Sequence, residues 1–252
     1  IIQPDIGVNG DAALVLDELI PLVKRLDTKE WLKKIETWKK KHPLKYPKRG
    51  GLRAQHVLDE LDRLTGSNAI IATDVGQHQM WAAQFYKFEK PYHWMTSGGL
   101  GTMGYGLPAA VGVQVAHPKK LVVDISGEAS FMMNMQEIAT AIQHRLPIKI
   151  FILNNQYMGM VRQWQDMNYE SRHSQSYMKS LPDFHKLTSA YGHKAITVKT
   201  QAELMPALEQ AFALKDELVF LDIYVDPAEH VYPMLVPKAS MRDMWLSKTE
   251  RT

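Results

Sequence analysis

Leu121-Val122-Val123-Asp124-Ile125 runs toward Gly127-Glu128-Ala129-Ser130, and Ile148-Lys149-Ile150-Phe151-Ile152-Leu153 runs into Asn154-Asn155. Each apolar run has the length of a strand, and a turn sequence follows each. One helix-length segment, Phe131 to Arg145, separates them. A strand–loop–helix–strand–loop unit brings both loops to one edge of a parallel sheet, where open α/β sheets bind ligands. One loop carries a carboxylate, Glu128, and the other carries carboxamides. Together they offer hard oxygen ligands suited to Mg²⁺, which then usually carries phosphate as well.

The alternation continues in both directions. Upstream, a helix over 54–64 carries Val57, Leu58 and Leu61, and a strand over 69–73 follows. Another helix is expected from about His78, and a Gly-rich turn at 98–106 opens the next. Downstream, the pattern predicts a helix over 131–144 and a strand over 148–153. A helix over 183–191 closes on Gly192 as its C-cap. A strand at 195–199, a helix at 202–214 and a strand at 218–225 complete the core. Strands that are apolar on both faces and alternate with helices mean a parallel sheet covered on both sides. The expected fold is α/β, a doubly wound parallel sheet of about six strands. Ahead of it, Ile1 to Gly10 reads as irregular. Asp11 to Val23 reads as a helix with Leu16, Leu19, Ile20 and Val23 on one face. Thr28 can cap a second helix running to about His42. Pro43 to Gly51 reads as a linker. No internal repeat or low-complexity segment appears.

A chain of 252 residues can hold one large α/β domain and a smaller appendage. It has no cysteine, which excludes disulfides, thiolate metal sites and a Cys nucleophile, and accords with a reducing compartment. No apolar run reaches the ~18 residues that would suggest a membrane helix, and no signal peptide is visible. The first residue is Ile1 rather than Met, so an N-terminal part is expected to be missing. The net charge of +3 conceals an uneven distribution: residues 24–53 hold 12 Lys/Arg against 3 Asp/Glu, an excess of +9 that leaves the rest at −6. A basic stretch can bind nucleic acid. Here Trp31, Leu32, Ile35 and Trp38 follow helical spacing, so the lysines read as the wet face of an amphipathic helix and no nucleic acid is expected.

Gly127 lets the chain turn sharply after its strand. Ser130 can cap a helix beginning at Phe131, with Phe131, Met135, Ile138 and Ile142 as its buried stripe. Such a helix start offers free N–H groups and a positive dipole end to phosphate. Taken alone, this turn is equally a helix entry with an exposed Glu. Asn154-Asn155 could likewise be a turn closed by its own side chains. Beyond it, Tyr157, Met160, Val161 and Trp164 share one face if the segment is helical, as core or as pocket wall. Gln77 and His78 follow the first core strand at the same sheet edge and can donate hydrogen bonds to a diphosphate. A lone His at a helix start is as readily a cap or a core residue.

Gly99, Gly101 and Gly104 also form a formal dinucleotide fingerprint, with Asp124 about twenty residues later. That fingerprint should follow directly on a buried strand. Its predecessor, Tyr92-His93-Trp94-Met95-Thr96-Ser97, is short and polar. A nicotinamide-binding reading would also leave Glu128 and Asn154-Asn155 without a role, so it ranks behind the metal–phosphate reading.

The pair of turns resembles the cofactor motif of thiamine diphosphate enzymes: Gly-Asp-Gly, about two dozen residues, then Asn-Asn. Glu128 stands where that family normally has Asp. The run Gln156-Tyr157-Met158-Gly159-Met160-Val161-Arg162-Gln163-Trp164 resembles one branch, the acetohydroxyacid (acetolactate) synthases. Two further blocks, Thr73 to Gln84 and Ser97 to Ala110, agree with that branch in order and spacing. The similarity extends from the first residues to about Val236 and is strongest over 71–185. Thr28 to Tyr46 resembles the connector that precedes the domain in these enzymes.

The resemblance implies Mg²⁺ held by Glu128, Asn155 and the backbone carbonyl of Tyr157. It implies diphosphate contacts from Gln77, His78, Gly127, Ala129, Ser130, Gln156 and Met158. Gly101, Thr102 and Met103 correspond to the segment under the bent cofactor, with Met103 as its prop. Met160 corresponds to a residue near the reactive carbon, and Trp164 to one narrowing the substrate channel, about two turns beyond the metal loop. The implied activity decarboxylates pyruvate and ligates the two-carbon unit to pyruvate or 2-ketobutyrate, in branched-chain amino acid biosynthesis. The implied domain order is a remnant of a middle domain (1–10), a helical connector and linker (11–51), the cofactor-binding domain (52–240) and a tail (241–252). FAD, bound mostly outside this chain, a homodimer or homotetramer, and a regulatory small subunit belong to the same picture. So does a cytoplasmic location in a bacterium, or a plastid or mitochondrial one in a eukaryote. The Glu that activates the cofactor lies in an N-terminal pyrimidine-binding domain, and no residue here corresponds to it. The isolated chain is therefore expected to be inactive, and a non-catalytic Mg–thiamine diphosphate module is the alternative.

Overall fold

The computed structural model describes residues 3–236 and 240–251. The chain divides into two compact units, residues 1–45 and 46–252. In the first, helix α1 (Ala12–Leu19) starts where the Asp11 carboxylate accepts the N–H groups of Ala13 and Leu14. The expected helix to Val23 stops short. Pro21 has no N–H for the ladder, and Ile20–Leu22 tightens into a 3-10 turn. Helix α2 (Lys29–Lys41) follows. Thr28 precedes it but makes no capping bond; the Asp27 carboxylate accepts the Lys29 N–H instead. Its apolar stripe is not buried: Trp31, Leu32 and Trp38 stay about half exposed. Trp31 and Trp38 meet edge to face at 5.6 Å, with the Lys34 ammonium over both rings.

In the second unit the elements run α3 (Ala54–Thr65), β1 (Ile70–Thr73), α4 (Gln77–Phe85), β2 (Trp94–Thr96), α5 (Gly106–Ala116), β3 (Val122–Ser126), α6 (Glu128–Phe131), α7 (Glu137–Gln143) and β4 (Lys149–Asn154). Then come α8 (Gly159–Asn168), α9 (Phe184–Ala190), β5 (Lys194–Val198), α10 (Gln201–Ala213) and β6 (Val219–Tyr224). The six strands pair in parallel in the order β2-β1-β3-β4-β6-β5. Alternate residues of each central strand enter opposite cores. Phe151 and Leu153 of β4 join the core with α3, α4 and α10. Ile150 and Ile152 join the one with α5, α7 and α9. Burial on both faces is why these strands read as unbroken apolar runs.

Three details depart from expectation. β2 is a strand, although its sequence reads as a polar connector; it pairs on one side only and stays half-buried. The helix expected over 131–144 is broken. One turn, α6, starts from Gly127 as its cap, and Ser130 lies inside it, donating to the Gly127 carbonyl. The Asn134 side chain donates to the Gly104 carbonyl at 2.6 Å. The N–H groups of Met133 and Asn134, and those of Glu137, Ile138 and Ala139 at the start of α7, reach back three residues rather than four. Finally, α8 starts at Gly159, so Tyr157 precedes the helix and bridges to Tyr177 instead of sharing a face with Met160.

Candidate cofactor and metal site

Because β1 lies between β2 and β3, chain order reverses there, and a crevice opens at the carboxyl ends of β1, β3 and β4. The turns leaving these three neighbouring strands carry the candidate residues. One cleft is lined by Gln77 and His78 after β1, and by Gly127, Glu128, Ala129 and Ser130 after β3. Asn155, Tyr157, Met158 and Met160 line it from beyond β4, and Met103 from the Gly-rich loop. Four residues singled out in the sequence are not brought there. Gly101 and Thr102 stay exposed on the loop. Gln156 faces a separate groove beside β6. Trp164 sits part-buried in α8. Since that helix begins four residues after Asn155, Trp164 lies about one and a half turns into it, roughly 7–8 Å along the axis.

The two asparagines after β4 have different jobs. Asn154 donates to the Asp222 carboxylate at 2.8 Å and accepts the Gln156 N–H, which builds the turn. Gln156 takes φ +62° to complete it. Asn155 points the other way. Its nitrogen donates to Gln77 Oε1 at 3.1 Å, and its oxygen accepts the Tyr157 N–H at 2.9 Å. The segment is strapped from outside by Met158 N–H to Ser176 and Met178 N–H to Gln156.

Glu128 is 1% exposed, and its Oε1 has no hydrogen-bond partner. Burial pushes its carboxyl up to about 7, against the pull of backbone N–H groups that include those of Tyr157 and Asn155. His78 is buried, and its Nε2 also lacks a partner. Burial pushes the imidazole down to about 4, opposed by the Asp74 charge. At neutral pH the ring is uncharged and its Nε2 edge is free to meet a ligand. Its close fit needs a glycine at 127, where a β-carbon would lie 2.9 Å from the ring.

A buried carboxylate oxygen without a partner, the Asn155 oxygen with one lone pair spare and an unsatisfied imidazole nitrogen suit a cation bridged to phosphate. Groups of three His, Cys, Asp or Glu side chains able to cage a metal do not occur among the described residues. Mg²⁺ is commonly held by only one or two carboxylates together with substrate phosphates and retained waters, so a single buried carboxylate does not exclude it.

Several supporting residues carry no local signal. Asp74, 1% exposed, accepts from Val75, Gly104 and Gly106 N–H groups at 2.7, 2.9 and 3.1 Å. It thereby ties the loop bearing Met103 to the end of β1. Gln163, fully buried in α8, bonds Gln77. Only the position of Asp74 directly after a strand could have drawn attention; a helical Gln gives no such cue. The dinucleotide alternative fails on the same geometry. A strand, β2, does precede the glycines, but as a half-buried edge strand. The next helix starts only at Gly106, and the fingerprint acid Asp124 is sealed in the core, accepting from Ser126 Oγ with both oxygens.

Residues 74–223 match the family described as thiamine pyrophosphate enzyme, C-terminal TPP binding domain. The chain belongs to that family, whose cofactor, thiamine pyrophosphate, is thiamine diphosphate. The acetolactate synthase isozyme 3 large subunit of Escherichia coli (strain K12) is 48% identical over 261 residues, covering 100% of this chain and 46% of that protein. The acetolactate synthase large subunit of Haemophilus influenzae is 47% identical over 252 residues, covering 97% and 44% respectively. That of the alga Pyropia yezoensis is 43% identical over 256 residues, covering 98% and 43%. The chain thus spans about half the length of the curated relatives it matches. Among the described residues, no helix is long and apolar enough to cross a membrane.

Proposed function

We propose that this chain forms the Mg²⁺ and diphosphate half of an acetohydroxyacid synthase active site. The carrying observation is the meeting of Glu128, Asn155 and Tyr157 in one cleft with two unpartnered buried atoms, Glu128 Oε1 and His78 Nε2. Glu128, the Asn155 oxygen and the Tyr157 carbonyl would hold Mg²⁺. His78 would face the diphosphate with its unpartnered Nε2, with Gly127, Ala129, Ser130 and Met158 around it. Met103 would support the cofactor from the loop tied down by Asp74. Thiamine diphosphate, when bound, supplies the electron sink for decarboxylating a 2-keto acid. The substrates would be pyruvate and a second 2-keto acid, pyruvate or 2-ketobutyrate, with Met160 and Trp164 toward the substrate side.

Glu128 is the single carboxylate lining the cleft among the described residues. A group already assigned to the metal cannot also activate the cofactor. The proposed active site includes completion by a pyrimidine-binding domain supplied from outside residues 1–252; FAD, a homo-oligomer and a small subunit enter from the family resemblance alone. Residues 52–240 would be the cofactor-binding domain and 11–51 its connector.

Calorimetry of thiamine diphosphate binding with and without Mg²⁺ tests the site. Binding should require Mg²⁺ and be lost in Glu128→Ala and Asn155→Ala; unchanged affinity in either variant removes that residue from the metal. The 252-residue chain alone should form no acetolactate from pyruvate, and adding the N-terminal domains should restore turnover. Turnover by the chain alone would mean that one of its own groups activates the cofactor.

A further inference from the structure

Three buried carboxamides form a chain from α8 to the candidate metal ligand, and its direction can be assigned throughout. It starts at a backbone, where donor and acceptor are fixed by covalent structure. The Val231 N–H donates to Gln163 Oε1 at 2.9 Å, and Gln163 Nε2 donates to the Val231 carbonyl at 3.0 Å. Gln163 can satisfy both only one way round. Its oxygen then accepts a second bond, from Gln77 Nε2 at 2.9 Å. The other proton of Gln77 Nε2 goes to the Glu229 carbonyl at 3.2 Å. Gln77 must therefore turn its oxygen to Asn155 Nδ2, 3.1 Å away. That leaves Asn155 Oδ1 on the side of the Tyr157 N–H, with one lone pair uncommitted.

We propose that Gln163 is a positioning residue: acting through Gln77, it keeps the Asn155 oxygen, rather than its nitrogen, toward the metal. This rests on the reading of Asn155 as a Mg²⁺ ligand. An inverted Asn155 would set its NH₂ against the Tyr157 N–H and turn a donor toward the cation. The three side chains are 0%, 3% and 7% exposed for Gln163, Gln77 and Asn155, so bulk water cannot substitute for a lost partner. Gln77, with both N–H groups and its oxygen engaged inside the protein, serves the site through Asn155 rather than through its own bond to diphosphate. The contact also explains Gly159: a β-carbon there would lie 2.0 Å from Gln77 Oε1 and 2.8 Å from Asn155 Nδ2.

The test is Mg²⁺ titration of the full chain at saturating thiamine diphosphate, by calorimetry, beside thermal unfolding without metal. Gln163→Met, close in shape but unable to bond Gln77, should weaken Mg²⁺ binding about tenfold or more. Gln163→Glu keeps an acceptor for both Gln77 and Val231, so it should hold Mg²⁺ affinity within about threefold even where it lowers the melting temperature. A purely structural role predicts the opposite: affinity unchanged in Gln163→Met, or lost in both variants in step with stability. Either result overturns the proposal. Should Gln163→Met not fold, Gly159→Ala displaces Gln77 from the other side and must weaken Mg²⁺ by a similar factor, or the link is refuted. Asn155→Ala separates the two levels. If it leaves Mg²⁺ affinity intact, the metal-site reading fails; if it alone weakens Mg²⁺, only the Gln163 link fails.

Discussion

Asp74→Asn puts an NH₂ where a backbone N–H expects an acceptor. In the structure, Asp74 Oδ1 accepts from Val75 and Gly104, and Oδ2 accepts from Gly106. Asparagine has one oxygen, so the Val75 and Gly104 pair can be kept only by aiming the amide at the Gly106 N–H. A buried donor left without a partner costs about 1–3 kcal/mol, and turning a charged acceptor into a neutral one loses roughly 1 kcal/mol on each remaining bond. The sum, about 3–5 kcal/mol, is reduced by relief of Asp124, whose ionisation the Asp74 charge opposes. A net loss of about 2–4 kcal/mol is expected in urea unfolding. The damage should centre on the loop at 98–104, which Asp74 and Asn134 hold. Thiamine diphosphate affinity, measured by calorimetry at a temperature where the variant is fully folded, should therefore fall as well. A stability loss under about 0.5 kcal/mol would refute the reasoning, because three buried N–H bonds would then matter no more than surface contacts.

Asp124→Asn tests a pH effect. Burial first, then the charge of Asp74, raises the Asp124 carboxyl well above its ordinary value. A raised carboxyl contributes stability that is full below the unfolded pKa of about 3.9 and is lost as pH rises through the folded value. The variant lacks this loss, so its stability relative to the wild type should grow between pH 4 and 8; a constant gap in melting temperature across that range rules the account out. Glu128→Asp should tighten Mg²⁺ binding several-fold, since Mg²⁺ tolerates little departure from octahedral geometry and Glu reaches one methylene further than Asp. Looser binding by calorimetry would mean that the turn is built around Glu. In the completed enzyme, Trp164→Leu should cut preference for 2-ketobutyrate over pyruvate about tenfold or more, the effect of ~1–3 kcal/mol of lost contact, and leave cofactor affinity intact. An unchanged product ratio with lowered stability would make Trp164 a core residue.

The central strands were legible because burial on both faces leaves a continuous apolar run, whatever the neighbours. β2 was not: it has three residues, one paired edge and half-buried side chains, so its strand state comes from β1 rather than from its own pattern. Helix 131–144 was misread for a related reason. Its residues favour a helix, but the Asn134 side chain is drawn to Gly104, thirty residues earlier, and the local ladder tightens to permit it. Ser130, a sound cap by type, became an interior residue when the turn started at Gly127.

The site divides in the same way. The amino-acid sequence by itself determined which turns end the strands of a parallel sheet, and that a carboxylate and two carboxamides lie in them. Strand length, apolar continuity and turn residues are local properties. Which asparagine faces the cleft was decided only in three dimensions, because Asn154 is claimed by Asp222 across the β4–β6 pair. The roles of Asp74, Gln77 and Gln163 were decided there too. A carboxamide takes whichever donor or acceptor the fold brings to each end, and here those partners come from α4, α8 and the segment after β6, separations of 78 and 86 residues between the linked side chains.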